Sequence, residues 1–257
     1  MRIFRKISGV IAVCICAVTF CGNVAAAQSA NFSGPYVDID VGLAPNSATW
    51  NFHSFDFGAR DFGFSPVNAS GFGGYVSPSV GYSQQVGQTG LGSIVVGAAA
   101  DFDVSTIPGV RTGCFHDIFD CLTNTSDLFT ARGTLGLVPP GADFMLYATG
   151  GLAGANVFDQ KFGPPFIAPM RFAGVAALEE GVTKFQLGWS AGAGIEIQPW
   201  APGTLGPGAL SFQAQFIYVG LPSTNVTGGV SVAEGISIFT LGALYRFSWT
   251  PRLSTGL

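Results

Sequence analysis

The stretch Ser237–Trp249 reads Ser-Ile-Phe-Thr-Leu-Gly-Ala-Leu-Tyr-Arg-Phe-Ser-Trp. Its odd positions, Phe239, Leu241, Ala243, Tyr245 and Phe247, form an apolar row. Its even positions include Thr240, Gly242 and Arg246, with Ile238 and Leu244 as apolar exceptions. Successive side chains of a strand point to opposite faces, so an extended segment here has one greasy face and one mixed, more polar face. Ending in aromatics, it suits the last strand of a barrel with lipid outside and a packed polar lumen inside.

The same alternation recurs upstream. In Gly34–Ala44, Val37, Ile39, Val41 and Leu43 oppose Asp38, Asp40 and Gly42. Gly73–Gln85 is a second strand, with Pro78 expected to mark a weak point or bulge. In Ser93–Val104 the row Ile94, Val96, Ala98, Ala100, Phe102 opposes Val95, Gly97, Ala99, Asp101, Asp103. Asp127–Leu137 turns Thr130, Arg132 and Thr134 away from its apolar side, and Phe144–Phe158 follows. The clearest case is Lys184–Gln198, where Phe185, Leu187, Trp189, Ala191, Ala193 and Ile195 oppose Gln186, Gly188, Ser190, Gly192, Gly194 and Glu196. Leu210–Leu221 sets Phe212, Ala214, Phe216 and Tyr218 against Gln213 and Gln215.

About eight strands of roughly a dozen residues result, the length a tilted strand needs to cross a bilayer. Long irregular stretches at Pro45–Gly71, Ser105–Ser126, Asp159–Val182 and Pro222–Glu234 alternate with short links. That is the rhythm of long outer loops and short periplasmic turns, and an even strand count puts both chain ends on the periplasmic side. A secreted β-sandwich is the competing architecture, but its strands are about half as long and lack this rhythm.

Composition points the same way. Only 10% of the 257 residues are charged, against about a quarter in a soluble domain. Past the first few dozen residues no apolar run approaches the ~20 a membrane helix needs. Without helices, only a closed barrel satisfies its backbone hydrogen bonds in lipid.

Met1–Ala27 is read as a cleaved signal peptide, leaving 28–257 as one barrel domain. Arg2, Arg5 and Lys6 begin it, Ile7–Phe20 is its short apolar core, and Ala25-Ala26-Ala27 precedes the cut. Its removal leaves eight Lys and Arg against fifteen Asp and Glu, a net charge of −7, which argues against a nucleic-acid partner. Cys114 and Cys121 are the two cysteines left, and an even pair in an exported chain reads as a disulfide. Two buried free thiols are the alternative.

Six phrases carry a family likeness: Phe32-Ser33-Gly34-Pro35-Tyr36-Val37, Gly97–Phe102, Arg132-Gly133-Thr134-Leu135-Gly136, Leu146–Ala153, Gly188–Glu196 and Tyr245-Arg246-Phe247. In this order they resemble the small outer-membrane β-barrel surface proteins of Gram-negative bacteria, grouped with OmpA-like β-barrel domains. Two departures stand out. Ala99 occupies a position where that family usually has an inward Glu, and ten residues follow Phe247, where the family usually stops. The resemblance implies an all-β, up-and-down transmembrane barrel in the cell outer membrane. It implies contact with outer-membrane lipid and lipopolysaccharide, and recognition of Tyr245 and Phe247 by the barrel-assembly machinery. It also implies host surface contacts through the loops.

For function, the inward row offers Asp38, Asp40, Asp101, Asp103, Glu196, Arg132 and Arg246. A barrel of this size is just filled by side chains, so five acids and two bases in a narrow lumen must neutralise one another or stay protonated. They are read as a charge network that plugs the lumen; an ion path, or a small porin or transporter for polar solutes, is the alternative. A soluble barrel binding an apolar ligand is a third class, and it requires the apolar rows to be buried. No catalytic residue, cofactor or metal set is assigned. His53 and His116 both fall in loops, and His53-Ser54 on a strand would point to opposite faces. Gly192-x-Gly194 lies inside a strand pattern with no following helix, so it is not a nucleotide loop. Tyr36, Tyr147, Trp189, Tyr218, Tyr245 and Trp249 are the candidates for interface girdles.

Overall fold

The computed structural model describes residues 30–52, 66–114, 119–162, 180–200, 204, 208–226 and 230–247. The predicted signal peptide, His53, His116 and Trp249 lie outside the described residues. Eight strands form: β1 (Gly34–Phe52), β2 (Val67–Thr89), β3 (Gly92–Cys114), β4 (Phe119–Val138), β5 (Phe144–Phe162), β6 (Glu180–Ile197), β7 (Gly208–Val226) and β8 (Val230–Phe247). Each pairs antiparallel with its sequence neighbours, and β8 returns to pair with β1, closing the barrel.

The faces are set as the alternation requires. Phe185, Leu187 and Trp189 are 58%, 55% and 53% exposed, whereas Gln186 and Glu196 on the opposite row are 5% and 2% exposed. Val37, Ile39, Val41 and Leu43 likewise face out, and Asp38 and Asp40 face in. This excludes the soluble barrel with an apolar ligand, because its greasy rows would have to be enclosed. On β8, Phe239, Leu241 and Phe247 face out, while Ile238, Thr240, Leu244 and Arg246 are buried.

The strands are longer than the expected dozen residues. Pro45–Phe52 and the start of β2 were read as irregular loop, yet they pair in register from Pro45↔Phe72 to Trp50↔Val67. The Ser105–Ser126 stretch instead supplies the ends of β3 and β4, and Pro222–Glu234 supplies parts of β7 and β8. The cause is an inversion of the polarity pattern. Beyond Leu43 the outward positions become polar and the inward ones apolar: Ser47 faces out, while Ala44, Ala48 and Trp50 are buried. Asn68, Ser70, Asn124 and Ser126 are exposed on neighbouring strands at this end. The period is still two, but the outer wall has passed from hydrocarbon into water.

Pro78 is not a bulge. It faces Ile39 on β1, and the β2–β3 register is the same on either side of it, at Val76↔Val104 and Ser79↔Asp101. The irregularities lie elsewhere, including Gln85/Gly87 and Ser126/Phe129. Asp127, with φ of 51°, sits inside the second, and its carboxylate accepts hydrogen bonds from Asn156 (3.1 Å) and Ser126 (3.3 Å). A bulge that forces a left-handed residue is thus held by its own side chain.

Two glycines show why the chain is so rich in them. At Gly151 a Cβ would stand 2.0 Å from the Ala131 carbonyl oxygen across the β4–β5 pair. At Gly220 it would meet the Trp189 indole at 2.8 Å, so the absent side chain is what lets the ring lie over the neighbouring strand. Gly87, by contrast, has nothing within 4 Å of its Cβ position. Gly151→Val should therefore destabilise the barrel by about 1–3 kcal/mol or more, whereas Gly87→Val should leave it near wild type. The check is the heat-modifiable gel shift of the refolded protein: the folded band should melt earlier for Gly151→Val only.

Candidate functional site

The interior is layered, and β1, β5 and β8 each spell out the order. From the terminal end, β5 presents Met145, Tyr147, Thr149, then Ala153, Ala155 and Val157, then Asp159. β8 presents Arg246, Leu244, Thr240, then Ile238 and Ile236, then Glu234. The first layer is an apolar cork of Phe32, Val95, Val138, Met145 and Tyr147. Above it lies the charge network. A second apolar layer follows, in which Ala44, Leu128, Val157, Ile217, Val219, Ile236 and Ile238 pack together. Polar groups return at the loop end, where Asn46, Thr123, Thr125, Asp159 and Glu234 are buried.

All seven residues assigned to the network are buried on the inward rows. Arg132 grips Asp101 with both arms, Nε to Oδ2 and Nη2 to Oδ1, each at 2.8 Å, and its Nη1 donates to Gln215 Oε1 at 3.2 Å. Thr130 also donates to Asp101. Arg246 grips Glu196 end-on, Nη1 to Oε1 at 2.7 Å and Nη2 to Oε2 at 3.2 Å. Forked pairing of this kind is both stronger and more directional than a point contact. Both guanidiniums are thereby committed to one acid each.

The other three acids are held by neutral donors. Asp38 accepts from Ser79 (3.0 Å) and Gln213 (2.5 Å). Asp40 accepts from Gln213 at 3.1 Å and from Gln215. Asp103 does not join the rest: it accepts from the Tyr75 hydroxyl at 2.5 Å. The space left within the network is a cavity of about 30 Å³, room for about one water.

Several contributors were missed from the sequence. Gln213 and Gln215 stood on the polar row, so their inward direction was legible, but their bridging role needed the strand opposite. Tyr36 and Tyr147 were assigned to interface girdles and instead point inward. Tyr147 is buried and its hydroxyl is 3.3 Å from Gln213 Oε1, while the Arg246 guanidinium sits 5.5 Å from the centre of the Tyr36 ring. Register explains both: Tyr36 faces Gly81 and Tyr147 faces Gly194, where a missing side chain leaves room for a ring inside the barrel. Phe32 was read only as part of a family phrase. It is fully buried, with Arg246 5.6 Å from its ring centre, and its carbonyl accepts from Ser83 Oγ at 2.6 Å.

Among the described residues, the other girdle candidates, Trp189, Tyr218 and Tyr245, lie on outward rows. Trp189 packs on Tyr218 at 5.5 Å towards the loop end. Tyr245 packs edge-on against Phe247 at 5.1 Å where the last strand ends. Trp200 and Phe212, which the sequence reading passed over, form a further pair at 5.9 Å near that same end. Aromatic pairs near both ends of the apolar band match the two belts such rings form at membrane–water interfaces.

The cysteines are less well placed than their spacing suggested. Cys121 faces Thr112, and Cys114 faces Phe119, so the two are offset diagonally across the β3–β4 pair. Diagonal partners lie ~7–8 Å apart, beyond the usual reach of a disulfide; their side chains lie outside the described residues. Among the described residues, no group of three or more His, Cys, Asp or Glu is placed to share a metal ion.

With the fold and interior in place, the chain can be compared with known proteins. The family model described as the outer membrane protein beta-barrel domain matches residues 14–247. Neisserial surface protein A is similar at a TM-score of 0.41 and 11% identity, over 84% of this chain and 98% of that one. Ail, the attachment invasion locus protein of Yersinia pestis, is similar at 0.36 and 14%, over 84% of this chain and all (100%) of that one. The outer membrane protease OmpT of Escherichia coli is similar at 0.41 and 9%, over 88% of this chain and 100% of that one. No curated protein matches the chain.

Breaking one forked pair tests the network. Arg132→Met strands Asp101 in the interior and should cost about 3–5 kcal/mol, and the double variant Asp101→Leu/Arg132→Met should recover most of it. Urea unfolding of the barrel in lipid vesicles measures both.

Proposed function

Because the chain belongs to the outer membrane protein β-barrel domain family and resides in the outer membrane, we propose that it is a closed, non-conducting surface barrel. In this reading it reinforces the envelope and presents its four loops to the surroundings, and it is not an enzyme. One observation supports this above all: the interior is stopped three times over, by the Phe32 cork, the charge network and the Ile236–Ile238 layer. A conducting pore needs a continuous polar path, and a filled eight-stranded barrel leaves none.

The partners follow from the outer wall. Lipid acyl chains cover the apolar band, and lipopolysaccharide covers the outer aromatic belt around Trp189 and Tyr218. The assembly machinery reads Tyr245 and Phe247 at the end of β8. A host surface is the further partner of the loops. A Cys114–Cys121 disulfide would require the end of the β3–β4 hairpin to shift its pairing by about two residues.

Planar-bilayer recording of the purified barrel tests the closed interior: no steady channels are expected, and large, long-lived openings would instead establish the small porin. Deleting the chain from its host should raise sensitivity to detergent, with recovery when wild type is restored. Unchanged sensitivity would remove the envelope role while leaving the closed barrel standing.

A further inference from the structure

We propose that the loop end of the barrel binds a calcium ion between Asp159 and Glu234, with Thr123, Thr125 and Asn46 supplying neutral oxygens. The two carboxylates come from β5 and β8 and are near enough to feel each other's charge. Both are buried, at 2% and 5% exposure. Glu234 reaches across the lumen, where its Oε1 accepts from Thr125 Oγ1 at 2.5 Å. Thr123 lies two residues away on the same face of β4, directly opposite Asp159. Asn46 lies beside the Glu234 carboxylate.

What points to a ligand is the set of side chains left without partners. Thr123 and Asn46 are buried and turned to the Asp159 and Glu234 carboxylates respectively, yet neither completes a hydrogen bond of normal geometry. Asp159 Oδ1 and Glu234 Oε2 are also unbonded. Buried polar groups are nearly always partnered, and buried charges are paired or bound to metals. The deeper network meets that requirement with two arginines. Among the described side chains, Lys184 is the cation whose charge reaches Asp159, and it is exposed and donates to the Asn225 carbonyl at 2.7 Å.

The donor chemistry selects the ion. Two carboxylates balance a divalent charge, and the remaining oxygens are neutral hydroxyl and amide groups. Calcium accepts such a mixed, irregular oxygen set, whereas magnesium demands a tight octahedron and zinc prefers nitrogen and sulfur. The site lies beyond the apolar band, beside the Ser47 and Asn68 level where the outer wall is polar. Lys161 follows Asp159 by two positions on β5, with its side chain outside the described residues, and it is the competing source of positive charge.

Calorimetric titration of the refolded full-length mature barrel with calcium chloride, after EDTA treatment, tests the proposal. One saturable site is expected, with the melting midpoint of the folded gel band rising as calcium is added. Asp159→Asn and Glu234→Gln should each weaken binding at least about tenfold, and Thr123→Val should weaken it with less disturbance to the fold. Asp127→Asn, an exposed acid on the outer wall at the same end, should bind as wild type. No binding by wild type, an unchanged affinity in both acid variants, or binding seen only after Lys161→Gln would each overturn the proposal.

Discussion

Every strand of this protein depends on the pairing of β8 with β1. Within hydrocarbon no water is available to an unpaired amide or carbonyl, so an open sheet edge of eight strands would leave a full row of them unsatisfied. Tyr36↔Arg246 through Leu43↔Phe239, and on to Phe52↔Val230, removes that edge. Closure then sets the next constraint. Eight strands enclose a bore only as wide as the side chains that fill it, so whatever points inward must pack or pair with what faces it across the lumen.

The interior answers that constraint in two chemistries. Within the deeper network two acids are matched in forked pairs, Asp101 with Arg132 and Glu196 with Arg246, while glutamines serve Asp38 and Asp40 and Tyr75 serves Asp103. Elsewhere the bore is filled by hydrocarbon, as at Ile236 and Ile238 or around Phe32. Removing half of a pair is costly because the survivor is a charge without solvent, which is a different cost from losing contact area. The arginine that ends the last strand also stacks against Phe32 and Tyr36. The first and last segments of the barrel therefore close its terminal end together.

Much of this was legible in the sequence because period-two alternation reports the solvent on each face. Phe185, Leu187 and Trp189 against Gln186 and Glu196 left one arrangement compatible with lipid outside. The same rule misled beyond Leu43. A lipid-facing strand is marked by apolar outward residues, and Ser47 with Trp50, or Asn124 with Thr125, carries the opposite sign once water replaces lipid on the outer wall. A strand end in water and an irregular polar loop then look alike. Tyr36 and Tyr147 were misplaced for a related reason: an aromatic ring suits an interface belt and a glycine-lined pocket in the bore equally well.

The sequence by itself therefore determined the architecture: eight alternating segments, which faces meet lipid, and that Asp38, Asp40, Asp101, Asp103, Arg132, Glu196 and Arg246 point inward. Those properties follow from local geometry, since one residue's direction dictates its neighbour's. Only the tertiary structure decided which acid each arginine holds, that Asp103 turns to Tyr75, and that Asp159 and Glu234 meet near the loop end. Such pairings join residues of different strands, either paired neighbours, as Arg132 and Asp101 are, or strands set apart around the ring, as Arg246 and Glu196 are, and they depend on shear and register around a closed ring, which no single strand's alternation contains.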